Sequence, residues 1–149
     1  MDYNPKKISI EEANSSGIEV NFELMNNGEK RYRLVSSDGS SYCRTVAAEY
    51  GAWQNSHYHK ILSEFYVVQS GWIVYAEISP NGEPVLRRFN EGESVTVNPL
   101  VHHNIYMSSN TVTHTIKYGD GSSDIDWFPS IQLDNFTKSI SENELLRLK

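Results

Sequence analysis

Between Gly51 and Gly71 the chain reads Gly51, five residues, His57-Tyr58-His59, four residues, Glu64, six residues and Gly71. No other stretch constrains the backbone as tightly, because this spacing reads as strand, turn and strand at once. Alternate side chains of an extended strand share a face, so His57 and His59 point into one space about 6–7 Å apart at their roots. Two imidazoles so placed can close on one ion at metal–nitrogen distances near ~2 Å. A short turn over Lys60 to Ser63 returns the chain antiparallel and carries the Glu64 carboxylate to the same ion.

The flanking sequence is written for the same kind of backbone. Ser9-Ile10-Glu11-Glu12 reads as a capping box, which predicts a short helix ending before Gly17. Ile18, Val20, Phe22 and Leu24 then alternate with polar residues up to the turn Asn26-Asn27-Gly28. Further strands are expected over Arg31 to Val35, Tyr42 to Tyr50, His57 to His59, Glu64 to Gln69 and Trp72 to Ile78. The series continues over Val85 to Phe89, Ser94 to Val97, Val101 to Met107 and Val112 to Tyr118. Short strands at even spacing point to a sandwich or barrel of antiparallel sheets. Asp120 to Ser123 reads as a loop, and Trp127 and Phe128 are large aromatics that need cover. A second capping box at Ser141-Glu142-Asn143-Glu144 opens a final helix carrying Leu145, Leu146 and Leu148.

The Gly51–Gly71 spacing matches the first conserved motif of the cupin family. That family's second motif is glycine, five residues, proline, one, glycine, two, histidine, three, asparagine. Counted from Gly92, it places Asn98 at the proline, Leu100 at the glycine, His103 at the histidine and Met107 at the asparagine. The first glycine and the histidine are kept, and Pro99 stands one place from the expected proline. Trp72 to Glu91 leaves room between the motifs for two strands around Pro80-Asn81-Gly82. The chain resembles a single-domain cupin, the resemblance covering roughly Cys43 to Tyr118. It implies an all-β, double-stranded β-helix (jelly roll) with short N- and C-terminal helices, one domain over residues 1–149. Residues 18–35 supply the leading strands and residues 141–149 the last helix.

His57, His59, Glu64 and His103 are the expected ligands of one divalent transition metal ion. Three imidazoles and a carboxylate suit Fe, Mn, Ni, Co or Zn alike. His102 and His103 are adjacent, so a strand points them to opposite sides and one alone can be a ligand. Counting from Gly92 selects His103; a one-residue shift at Asn98 and Leu100 reverses the roles. Tyr66, two places after Glu64, is the candidate catalytic acid or base, since some metal-dependent cupin lyases use a tyrosine at this offset. A phenol beside a divalent cation can fall below its free pKa of about 10. Trp53 and Asn55 share strand parity with the two histidines, and His114 is placed on an inner face with Ile116 and Tyr118, leaving Lys117 outward unless a bulge turns it in. Those three complete the expected substrate site, with Tyr106 a further candidate at its mouth.

Thirteen Lys and Arg against nineteen Asp and Glu give a formal charge of −6, without a basic run dense enough to follow phosphates, which argues against nucleic acid. A lone cysteine, Cys43, cannot form an internal disulfide and has no base beside it to make a nucleophile. No apolar stretch approaches membrane-spanning length, and Met1 to Lys7 lacks the apolar core of a secretion signal. A cytoplasmic protein acting on a small molecule is expected, and Asn135-Phe136-Thr137 is then a chance match to a glycosylation acceptor. Three activities fit the ligand set: a metal-dependent isomerase, epimerase or lyase on a carbohydrate-type substrate; a non-haem iron dioxygenase; and a non-catalytic small-ligand binder. The resemblance also implies a homodimer, covered by residues 18–35 and the Leu-rich C-terminal helix.

Overall fold

The computed structural model describes residues 3–119 and 125–148, and in these the alternating segments become short strands separated by turns. Ser9 Oγ accepts the Glu12 N–H at 3.1 Å and starts helix α1 (Ile10–Ser15). Strands β1 (Ile18–Leu24), β2 (Lys30–Ser36) and β3 (Ser41–Val46) follow as a meander. Next come β4 (Ala52–Trp53), β5 (His57–Tyr58), β6 (Ser63–Ser70), β7 (Trp72–Ile78), β8 (Pro84–Asn90) and β9 (Ser94–Val97). The series ends with β10 (His103–Met107), β11 (Val112–Tyr118), β12 (Phe128–Pro129), and helices α2 (Ile131–Thr137) and α3 (Glu142–Leu145).

Two antiparallel sheets result. One runs β1-β2-β3-β11-β6-β9; the other runs β12-β5-β10-β7-β8, with β4 also paired to β10. Between them Tyr66, Val68, Val95 and Val97 of the first sheet interleave with Ile73, Tyr75, Ile105 and Met107 of the second. This is the expected jelly roll. The expected return of the chain after His59 takes another form: β5 belongs to the second sheet and β6 to the first. Residues 59–62 therefore cross between sheets, and Glu64 faces the histidines across the interior instead of along a hairpin.

The two glycines framing the first motif are there for space. A Cβ on Gly51 would stand 2.8 Å from the Tyr106 ring and 3.1 Å from the Met107 carbonyl. One on Gly71, whose φ is 81°, would stand 3.0 Å from the Thr111 Cα. Leu100, at the glycine place of the second motif, has φ of 71° and donates its N–H to the His59 carbonyl at 2.6 Å. The backbone thus keeps the shape the motif glycine permits, although the residue has changed. A left-handed non-glycine residue costs roughly 1–2 kcal/mol, and the Leu100 side chain is 64% exposed, so it recovers little by packing. Leu100→Gly is expected to be neutral or to stabilise by up to about 1 kcal/mol after the added freedom of the unfolded chain. Leu100→Val is expected to destabilise; urea melts of both variants check the sign.

The C-terminal region departs from its sequence reading. The capping box at Ser141 and Glu144 is present, but α3 is a single turn, with Leu145 fully buried and Leu146 half exposed. Leu145 packs with Val74 and Tyr106 on the outer face of the second sheet, beside Trp53, Trp72, Leu86, Ile140 and Leu148. Helix α2 carried no recognisable apolar stripe, because it buries only Leu133 and Thr137. The Thr137 hydroxyl is spent on the Leu133 carbonyl and the Asn104 amide, so the Asn135–Thr137 acceptor match lies inside a helix. The expected loop at Asp120 to Ser123 lies outside the described residues. Among the described residues no helix is long and apolar enough to cross a membrane.

Across β1, β2, β3 and β11 the first sheet is polar inside and apolar outside. Val20, Leu34, Tyr42 and Ile116 stand in one cross-strand row on its outer face, and Phe22 and Tyr32 begin the next row. Phe22 and Leu24 are 68% and 72% exposed. This inversion decides which residues of β11 face the interior.

Candidate metal centre

His57 and His103 are direct partners across β5 and β10, so their side chains lie beside each other on the inner face. His59 leaves the end of β5 on the same side, and Glu64 rises to meet all three from β6. Glu64 Oε1 is 3.3 Å from His57 Nε2, 3.1 Å from His103 Nε2 and in contact with His59 Nε2. All four donor atoms lie within 4.8 Å of one another. Each of the four residues is buried, Glu64 and His103 to within 1%. The adjacent His102 points the other way, stacked on Tyr58 with centroids 4.2 Å apart, its Nδ1 2.7 Å from Ser130 Oγ. Strand alternation at 102–103 thus brings His103, not His102, into the cluster, the residue the count from Gly92 selects.

The far side of each imidazole is held by a backbone carbonyl. Nδ1 of His57 donates to Asn55 O and that of His103 to Val101 O, both at 2.9 Å, and Nδ1 of His59 donates to Asp126 O. A carbonyl only accepts, so these contacts place each proton on Nδ1 and leave three Nε2 lone pairs aimed at a carboxylate. Burial lowers the His57 pKa, which favours the neutral ring. Burial opposes the Glu64 charge, and its pKa is low only through protons shared with those same Nε2 atoms, a place that a bound cation takes instead. Four buried ligand atoms meeting at one point are suited to a cation, and this donor set fits a divalent one.

Tyr66 is beside the cluster, as expected, and bonded to one of its members. Its hydroxyl donates to Glu64 Oε2 at 2.6 Å and fixes the carboxylate. Burial, then the Glu64 charge, push its phenol up, opposite to the fall a catalytic base needs. In the metal-free arrangement Tyr66 thus orients the carboxylate. Asp126 does comparable work at a distance: its carboxylate accepts the N–H groups of Lys60, Ile61 and Leu62 at 2.7, 2.9 and 2.9 Å. It ties down the crossing between sheets while its own carbonyl holds His59. Nothing local in the sequence pairs residue 126 with residues 59–62, and this role was not anticipated.

A cavity of about 120 Å³ adjoins the cluster, lined in part by Arg31, Arg33, Gln54, Thr115, Lys117 and Trp127. Trp127 lies over His57, centroids 5.5 Å apart and rings 23° from parallel. The three expected substrate residues lie elsewhere. Trp53 donates its ring N–H to Ile140 O at 3.1 Å and meets Tyr106 edge-on in the outer cluster. Asn55 Oδ1 accepts from Lys138 Nζ at 2.5 Å. The chain leaves β4 after Trp53 and re-enters the sheet at His57, so parity is not carried between them, and Gln54 faces inward instead. His114 is on the outer face of β11, stacked on Tyr42 at 5.8 Å and bonded to Gln69 at 2.6 Å. Thr115 and Lys117 take the inner face, because the apolar side of this strand is the outer one.

No protein-family model and no curated protein matches the sequence. Solved structures do. Oxalate decarboxylase from Bacillus subtilis at pH 4.6, a cupin, superposes with a TM-score of 0.60 at 12% identity, covering 88% of this chain and 37% of that one. Drosophila melanogaster CENP-C bound to CAL1 gives a TM-score of 0.54 at 13% identity, covering 70% of this chain and 82% of that one. The chain spans well under half the length of oxalate decarboxylase, and the likeness is one of fold. With four inward donors converging in its interior, the chain is a cupin-fold domain built around a candidate metal centre.

Proposed function

We propose that this protein is a metal-dependent enzyme acting on a small polar, carbohydrate-type substrate by assisted proton transfer, as an isomerase, epimerase or lyase. One observation carries the reading: the four buried donors converge beside a cavity instead of in a closed core. When bound, a divalent ion supplies Lewis acidity, which polarises a substrate oxygen and acidifies its neighbours. His57, His59, His103 and Glu64 hold the ion; Tyr66 and the three backbone carbonyls keep those ligands aimed. Ser41, Thr45, Gln54 and Thr115 give the wall hydrogen-bonding groups suited to a hydroxylated molecule.

The Mn(II) centres of oxalate decarboxylase make manganese the first ion to test. Elemental analysis of protein purified without added metal, then a substrate screen with the ion found, tests the proposal; protein that takes up no divalent metal sinks it. Protons compete with metal for Nε2, and the lowered His57 pKa weakens that competition. Half-release is therefore expected below pH 6.5, the ordinary histidine value, in a dialysis series followed by elemental analysis. The same ligands can serve an iron dioxygenase, and oxygen consumption by the iron-loaded protein separates that reading from the first.

The protein is further proposed to be a homodimer, paired through β1 and the apolar outer face of the first sheet. Strand β1 is the edge of that sheet and exposes Val20, Phe22 and Leu24 together, a contiguous row that an identical row on a second copy can cover. Light scattering is expected to give twice 17.0 kDa for the wild type, and Phe22→Glu to give 17.0 kDa.

A further inference from the structure

Next to the chamber beside the ligands lies a second, larger groove of about 420 Å³, and Arg33, Ser41, Lys117 and Trp127 line both. These residues form a neck. In the strand register Lys117 is the direct partner of Glu64 on one side and of Ser41 on the other, while Arg33 is opposite Cys43, whose other partner is Thr115. The neck's cations thus stand on the wall that carries a metal ligand.

Their charges are unequally compensated. Arg31, which also lines the chamber, is bound through Nε and Nη2 to the fully buried Glu29, which Gln54 also holds, so that pair is neutral and fixed. Arg33 contacts Glu23 through Nη1, but Glu23 is 41% exposed and shares its charge with solvent. Lys117 is the strand partner of Glu64, whose Oε1 is turned to the three imidazoles and whose Oε2 accepts from Tyr66. Arg33 and Lys117 both line the chamber and the outer groove, so an anion at that shared wall can draw on both charges.

We propose that Arg33 and Lys117 clamp an anionic group of the substrate, a carboxylate or a phosphate, at this neck. The inference rests on the metal-enzyme reading for its chemistry and narrows the substrate to an acidic one. The guanidinium fork offers paired N–H groups to the anion and the ammonium a point charge. The hydroxyls of Ser41 and Thr115 add donors on the same wall. The anion holds the reactive end of the molecule over His57, His59, His103 and Glu64. Its remaining carbon skeleton lies along Trp127, which is 40% exposed, and extends into the outer groove.

Titration calorimetry with malonate, inorganic phosphate and uncharged glycerol tests the clamp on the metal-free and Mn(II)-loaded protein. The variants are Lys117→Met and Arg33→Gln, with elemental analysis of each and Lys117→Arg as the rescue. Each variant is expected to weaken malonate or phosphate at least about tenfold, the cost of a charged hydrogen bond, while metal content stays at the wild-type level. Lys117→Arg is expected to restore most of the affinity, and the tighter of the two anions identifies the headgroup. Wild-type protein that binds neither anion overturns the clamp. So does anion binding that needs the metal and is equal in wild type and both variants, since the anion then sits on the ion; that result leaves the metal reading intact. Charge-dependent anion binding by a protein that takes up no metal does the reverse.

Discussion

Replacing His103 by alanine is expected to weaken divalent-metal binding by more than about a hundredfold, beyond the ~10–100-fold typical of a residue that only supports a ligand. Replacing the adjacent His102 is expected to leave metal content unchanged. His103 Nε2 stands 3.1 Å from Glu64 Oε1 with its Nδ1 proton held by Val101 O, whereas the His102 ring is stacked on Tyr58 and turned towards Ser130. The measurement is metal content after dialysis against a competing chelator, with thermal melts of the metal-free variants as a check on folding. Equal loss in the two variants would overturn the ligand assignment.

The second large effect is on stability. Leu145→Ala is expected to cost about 3 kcal/mol, the usual penalty for emptying a fully buried leucine site. For a chain of this size that lowers the melting temperature by roughly 6–12 °C. Leu145 is fully buried against Val74 and Tyr106, although the helix that carries it is a single turn. Leu146, one residue on and 49% exposed, is expected to tolerate alanine within about 0.5 kcal/mol. Circular-dichroism melts of the two variants check the contrast; equal effects would mean that the C-terminal turn is not part of the packed domain.

Much of the metal cluster was legible because its spacing is local and its geometry is strict. Two histidines on alternate positions must share a face, and Leu100 kept the left-handed backbone of the motif glycine, so the count to His103 stayed in register. The strands were legible for a related reason: turn residues set their ends, and β1, β7, β9 and β11 fall at the expected boundaries. Parity counting failed where the backbone left the sheet, between Trp53 and His57, and Gln54 took the inward position given to Trp53 and Asn55. It failed again on β11, where Ile116 and Tyr118 were expected inside because apolar residues usually are. Here the interior is a polar chamber and the apolar residues lie outside, so Thr115 and Lys117 hold the places expected for His114 and Ile116. Arg31 and Arg33 gave no signal for the same reason: on a strand read alone, alternating cations look like a solvated face. Asp126 was invisible because its partners are more than sixty residues away in the chain.

The crossing of the backbone between sheets after His59 has a mechanical consequence. Three donors hang from one layer of the sandwich and the fourth from the other, so an occupant of the space between them fastens layer to layer like a bolt through two plates. Such an occupant would add to what the interleaved core already does, so loading the centre is expected to raise the stability of the whole roll.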